Sequence, residues 1–137
     1  MRLRKHDWQG LHLHQQLHRR HQRPPPPQYH SHQTELDIRA ILSVARSGRL
    51  DHPKEDIPLY LYIPAQDHAD YELYRHFNQT FEFIDAARRE TNVLVHCMAG
   101  VSRSVTIVMA YLLKKYKCSL SEVIKMVQRK RHKVHIP

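Results

Sequence analysis

The sequence predicts an α/β fold, a small central mixed sheet flanked by helices, and three observations predict it. Val93, Leu94 and Val95 form a short apolar run of the kind that fills a buried strand. Soon after it, residues 105–113 give an almost uninterrupted apolar helix pattern. Upstream, two stretches rich in β-formers, 38–44 and 57–63, precede an amphipathic helix pattern. The chain has 137 residues, enough for one domain with a modest core and too few for two.

Residues 1–34 differ in composition from the rest. They hold His6, His12, His14, His18, His21, His30 and His32, several Gln and Arg, and the run Pro24-Pro-Pro-Pro27. So few apolar residues cannot offset the entropy of ordering, so the segment is expected to be disordered or at most transiently helical. His14 and His18 stand four apart and would share a helix face able to chelate a metal, although compositional bias is the stronger reading. The four prolines form a stiff spacer and a weak SH3-type ligand.

From residue 35 the chain reads as folded. Ile-Arg-Ala-Ile-Leu-Ser-Val at 38–44 predicts a strand, and Gly48 and the stretch 51–53 a loop. Ile-Pro-Leu-Tyr-Leu-Tyr-Ile at 57–63 alternates with period two, a strand that Pro58 places at a sheet edge or at its own start. Leu73, Phe77, Phe81 and Ile84 then recur at helical spacing, with Asp70 as the expected N-cap and an end near Arg89. After the buried helix, Ser119-Leu-Ser-Glu122 is a capping box, and Leu120, Val123, Ile124 and Val127 stripe the helix it starts. The basic end of that helix, 128–133, suits the negative end of the helix dipole.

The turn between the 93–95 strand and the 105–113 helix carries the chemistry. Backbone N–H groups of Met98, Ala99, Gly100, Val101, Ser102 and Arg103 can point inward as a nest, and the helix adds its unpaired N-terminal donors. Cys97 ends the strand and Arg103 starts the helix, so five residues curl a phosphate between a sulfur and a guanidinium. The guanidinium fork matches two phosphate oxygens, which Lys cannot do. The same positive surroundings favour thiolate, the form that attacks. Gly100 permits close approach of the backbone, and Ser104 puts a hydroxyl within reach of the sulfur.

The pattern His96-Cys97-x5-Arg103-Ser104, with Met-Ala-Gly-Val-Ser between, resembles the signature of cysteine-dependent protein tyrosine phosphatases in their dual-specificity branch. That resemblance implies a two-step hydrolysis through a cysteinyl phosphate on Cys97, with Arg103 and the loop amides holding the phosphoryl oxygens and no metal or other cofactor. It implies that His96 orders the loop and is not a base. Expulsion of an alkoxide or phenolate also needs an acid. Asp67, in Ile-Pro-Ala-Gln-Asp between strand and helix, is similar in place to the family's acid, with Asp70 as its competitor. The likeness covers about 36–137, so 35–137 is the expected catalytic domain. Relative to the family it is N-terminally truncated: the strand pair and helix before 38–44 and the last helix are missing, which leaves Val93–Val95 at an open sheet edge.

Formal charge is +9, an attraction to anionic partners, but no aromatic-interleaved basic motif accompanies it, so a phosphoprotein is expected ahead of nucleic acid. Met98, Val101 and Ser102 put no basic residue beside Cys97, which argues against inositide lipids. Cys97 and Cys118 do not make a disulfide framework, and an active thiolate requires a reducing compartment, so cytoplasm or nucleus is expected. Cys118 reads as a structural cysteine, or as a resolving thiol if close to Cys97. No signal peptide or membrane-length run is read. The predicted function is hydrolysis of phosphotyrosine and phosphoserine or phosphothreonine; the alternatives are an inactive or unstable phosphoprotein-binding module and an RNA 5′-phosphatase.

Overall fold

A computed structural model describes residues 11–15, 37–46, 57–98 and 102–130. Four strands, β1 (Leu11–Gln15), β2 (Ile38–Ala45), β3 (Leu59–Pro64) and β4 (Asn92–Cys97), form one sheet in the order β1-β4-β2-β3. Among the described residues three helices accompany it: α1 (Phe77–Ala87), entered through a 3-10 turn at Leu73–His76, α2 (Arg103–Tyr116) and α3 (Leu120–Lys130). The α/β class is as expected. Where a mixed sheet is expected, all three pairings among the described residues are parallel. Parallel strands need a crossover, and α1 supplies the one that passes from β3 beyond β2 to β4.

Alternation along β2 and β4 sorts the sheet into two faces. Ala40, Leu42 and Val44 with Val93 and Val95 join the core formed with Ile84, Ile107, Val108, Leu112, Val123 and Val127 of the helices. Ile41 and Leu94 look the other way and cluster with Ile38 and Ile57. Pro58 lies just before β3, and β3 is an edge strand, as its prolines dictate.

Leu11–Gln15 overturn two expectations. These five residues form a strand where a disordered segment is expected, and they pair with β4 from Leu11↔Val93 to Gln15↔Cys97. β4 therefore has β1 on one side and β2 on the other and is no open edge. His14 lies in that strand, so a helical His14/His18 chelate is ruled out at its first member. The proline run 24–27 and the rest of 1–34 lie outside the described residues.

Asp70 does not cap α1, which begins at Phe77. Tyr71 holds the chain out of helix instead: its hydroxyl donates to Pro64 O at 2.8 Å and meets His76 Nε2 at 2.9 Å, and its N–H closes a turn on His68 O. The capping box at α3 forms as expected, with Ser119 N–H on Glu122 Oε2 at 2.8 Å and Glu122 N–H on Ser119 Oγ at 3.3 Å. Cys118 Sγ faces Leu112 O at the C-terminal end of α2, whereas Cys97 contacts Ser104 at its start. Ser104 and Leu112 are eight residues apart, about 12 Å along the helix, so Cys118 packs as a structural cysteine and cannot resolve Cys97.

The far ends of α1 and α2 are joined by a charge cluster. Asp85 accepts from Lys115 Nζ at 2.5 Å, from Arg89 at 3.0 Å and from the Tyr111 hydroxyl at 3.1 Å, and Arg88 donates to Tyr111 Oη at 3.1 Å. The Lys115 bond holds the Asp85 carboxyl below its ordinary 3.8, while burial pushes the Tyr111 hydroxyl up to about 12. A depressed carboxyl contributes stability that is present above its unfolded value and lost as pH falls through the folded one. Asp85→Asn should therefore lower the melting temperature at neutral pH by a few degrees, about 1 kcal/mol. The gap to wild type should close as pH drops below 3.8, read in paired melts.

Candidate active site

Because every pairing is parallel, the carboxyl ends of β2, β3 and β4 lie along one margin of the sheet, the place where open α/β sheets present their ligands. Three segments meet there: Ala45 ending β2, the loop 65–70 after β3, and the turn from β4 into α2. Ala65 N–H donates to Ala45 O at 3.0 Å and continues the sheet ladder into the loop.

Cys97 is the last residue of β4 and only 2% exposed. Its Sγ lies 3.2 Å from Ser104 Oγ, one residue into α2 and fully buried. Between them, Met98 is exposed, and Ala99, Gly100 and Val101 lie outside the described residues. Ser102 occupies the N-cap position with no side-chain cap bond; its carbonyl accepts from Thr106 N–H at 2.8 Å.

Arg103 is the first residue of α2 and is 6% exposed. Nη1 donates to Ala65 O at 2.9 Å, and Nη2 lies 3.7 Å from Asp67 Oδ2. Its Nε is buried and has no hydrogen-bond partner among the described residues. A buried guanidinium N–H without an acceptor costs about 1–3 kcal/mol, which a bound oxyanion would recover. Two contacts thus meet at the start of α2, Cys97 with Ser104 and Arg103 with Asp67. Asp70 stands apart, exposed and 3.7 Å from His68 Nδ1.

Three contributors escape sequence reading. Ala65 acts through its carbonyl, which no side-chain pattern reports. Tyr71 ties the loop to the 3-10 turn through Pro64 O. Ser43, buried on β2, lies 2.6 Å from His96 Nε2 and accepts from the Tyr60 hydroxyl at 3.1 Å. The signal for Ser43 was present as a single hydroxyl among the buried, otherwise apolar positions of β2.

The carboxyl margin of the parallel sheet thus carries a buried cysteine at a strand end and, at the start of the next helix, a buried arginine 3.7 Å from a carboxylate. Residues 26–136 match the family model for the dual specificity phosphatase catalytic domain, and the chain belongs to that family. It is 42% identical over 96 residues to dual specificity protein phosphatase 1 of Arabidopsis thaliana, covering 69% of this chain and 48% of that protein. To dual specificity protein phosphatase 9 of Homo sapiens it is 42% identical over 100 residues, 72% of this chain and 26% of the relative. The chain thus spans half or less of these relatives' lengths. Among solved structures it resembles DUSP15 with a TM-score of 0.73 at 30% identity, covering 80% of this chain and 69% of that one.

Proposed function

We propose that the protein hydrolyses phosphotyrosine and phosphoserine or phosphothreonine in proteins, through a cysteinyl phosphate on Cys97. The observation that carries the reading is the buried Arg103 guanidinium at the start of α2, with an Nε–H lacking an acceptor among the described residues, one residue before the Ser104 whose hydroxyl meets the Cys97 sulfur. In the first step the thiolate attacks phosphorus, the bond to the leaving oxygen breaks, and Asp67 gives that oxygen a proton. Arg103 and the N–H groups of 98–103 hold the three phosphoryl oxygens as charge develops on them. In the second step water attacks phosphorus, its proton passes to Asp67, and the S–P bond breaks. Ser104 Oγ, at 3.2 Å, donates to the sulfur as it departs as thiolate.

The catalytic unit is residues 35–137, with β1 docked on it from the preceding segment. A reducing compartment, cytoplasm or nucleus, suits the two free cysteines. No helix among the described residues is long and apolar enough to cross a membrane. The proline run 24–27 is offered as an SH3-type ligand on composition alone.

The role of Asp67 is tested by leaving group. Asp67→Asn should slow alkyl phosphates by about a hundred-fold or more, and aryl phosphates with good leaving groups far less. Equal slowing of both classes, or a larger effect from Asp70→Asn, would remove Asp67 from the role. The parent reading is tested by turnover of an aryl phosphate beside a circular dichroism melt of the same sample: a folded chain without turnover would leave a phosphoprotein-binding module.

A further inference from the structure

His96, immediately before the nucleophile, is tied into the sheet. It is buried on β4, faces Ser43 of β2 in the parallel register, and meets that hydroxyl at 2.6 Å through Nε2. Tyr60 of β3 donates to the same oxygen from the other side at 3.1 Å. The three side chains form a line across β3, β2 and β4 on the sheet face turned away from the main helical core.

The direction of each bond follows from the chemistry of the groups. A phenol is a stronger acid than an alcohol and is the better donor, so Tyr60 gives its proton to Ser43. Ser43 can accept twice but has one proton to place, and among the described residues the acceptor its hydroxyl meets is His96 Nε2 at 2.6 Å. A ring nitrogen that accepts carries no proton, which puts the proton of neutral His96 on Nδ1, the nitrogen nearer its own main chain. A buried hydroxyl in an apolar strand costs free energy unless both its roles are filled, and here they are.

We propose that Ser43, backed by Tyr60, is a positioning residue for Cys97: it fixes His96 in one orientation with its proton on Nδ1, so that an N–H is presented to the turn carrying the nucleophile. Ser43 touches no reacting atom and acts only through His96. The inference rests on reading Cys97 as the nucleophile.

The test reads the ring and the sulfur separately. Nitrogen NMR of histidine-labelled protein should show His96 of the wild type protonated on Nδ1, and Ser43→Ala should shift the signal towards the Nε2–H form. Alkylation of Cys97 by iodoacetamide at fixed neutral pH should slow about ten-fold in Ser43→Ala, the worth of one hydrogen bond, and kcat should fall alike with KM little changed. Tyr60→Phe should move both readings the same way by less. A wild-type His96 protonated on Nε2 overturns the proposal without any variant, which keeps it testable if Ser43→Ala fails to fold. A folded Ser43→Ala with unchanged tautomer and alkylation rate overturns it too. If the wild type turns over no phosphate ester while the tautomer and alkylation shifts hold, the catalytic reading fails and the positioning role stands.

Discussion

Replacing Cys97 with serine should lower turnover of an aryl phosphate by more than about a hundred-fold, while inorganic phosphate still binds. Serine keeps the size and place of the side chain, 2% exposed at the end of β4, but its hydroxyl is not ionised at neutral pH and cannot attack as the thiolate does. The cradle is untouched, since Arg103 and the donors of the helix start belong to other residues. Loss of such a nucleophile normally costs several kcal/mol of barrier, whereas ground-state binding of an anion depends on the donors. Kinetics and phosphate inhibition measured on one preparation separate the two effects. A serine variant retaining more than about a hundredth of the wild-type rate would sink the covalent route.

The second large effect is expected at Arg103, and it should fall on the opposite side of that division. Arg103→Lys keeps the charge yet should lower kcat by about a hundred- to a thousand-fold and weaken phosphate inhibition as well. Two functions are lost together. The planar fork that grips two oxygens becomes a single ammonium, and the bond from Nη1 to Ala65 O disappears, so the loop bearing Asp67 loses its tie to the helix that carries the phosphate donors. Alkyl phosphates should therefore suffer more than aryl ones, echoing Asp67→Asn in milder form. An Arg103→Lys variant that binds phosphate normally and loses only rate would show that the guanidinium orders the loop without holding the anion.

The turn from Cys97 to Arg103 was legible because it is one short contiguous stretch where a strand pattern gives way to a helix pattern, as β4 and α2 are placed. Asp67 could be named for a similar reason: it occupies the first turn after an alternating strand. Asp70 was misread because an N-cap rule sees only local sequence, and the bonds from Tyr71 to Pro64 O and His76 decide where the helix begins. β1 was invisible on the same logic. Leu-His-Leu-His-Gln has little apolar surface of its own and becomes a strand only by pairing with 93–97, far along the chain. Parallel pairing of that kind is non-local, and propensity does not report it. The Ser43–His96 bond spans 53 residues and shares this opacity.

The covalent intermediate tests the central claim most directly. Wild-type protein mixed with an aryl phosphate, quenched in acid within a turnover and digested should yield a peptide carrying phosphate on Cys97, with at most one phosphoryl group per chain and none in Cys97→Ser. Full turnover with no phosphorylated Cys97 peptide, or with the phosphate on another residue, would contradict the account.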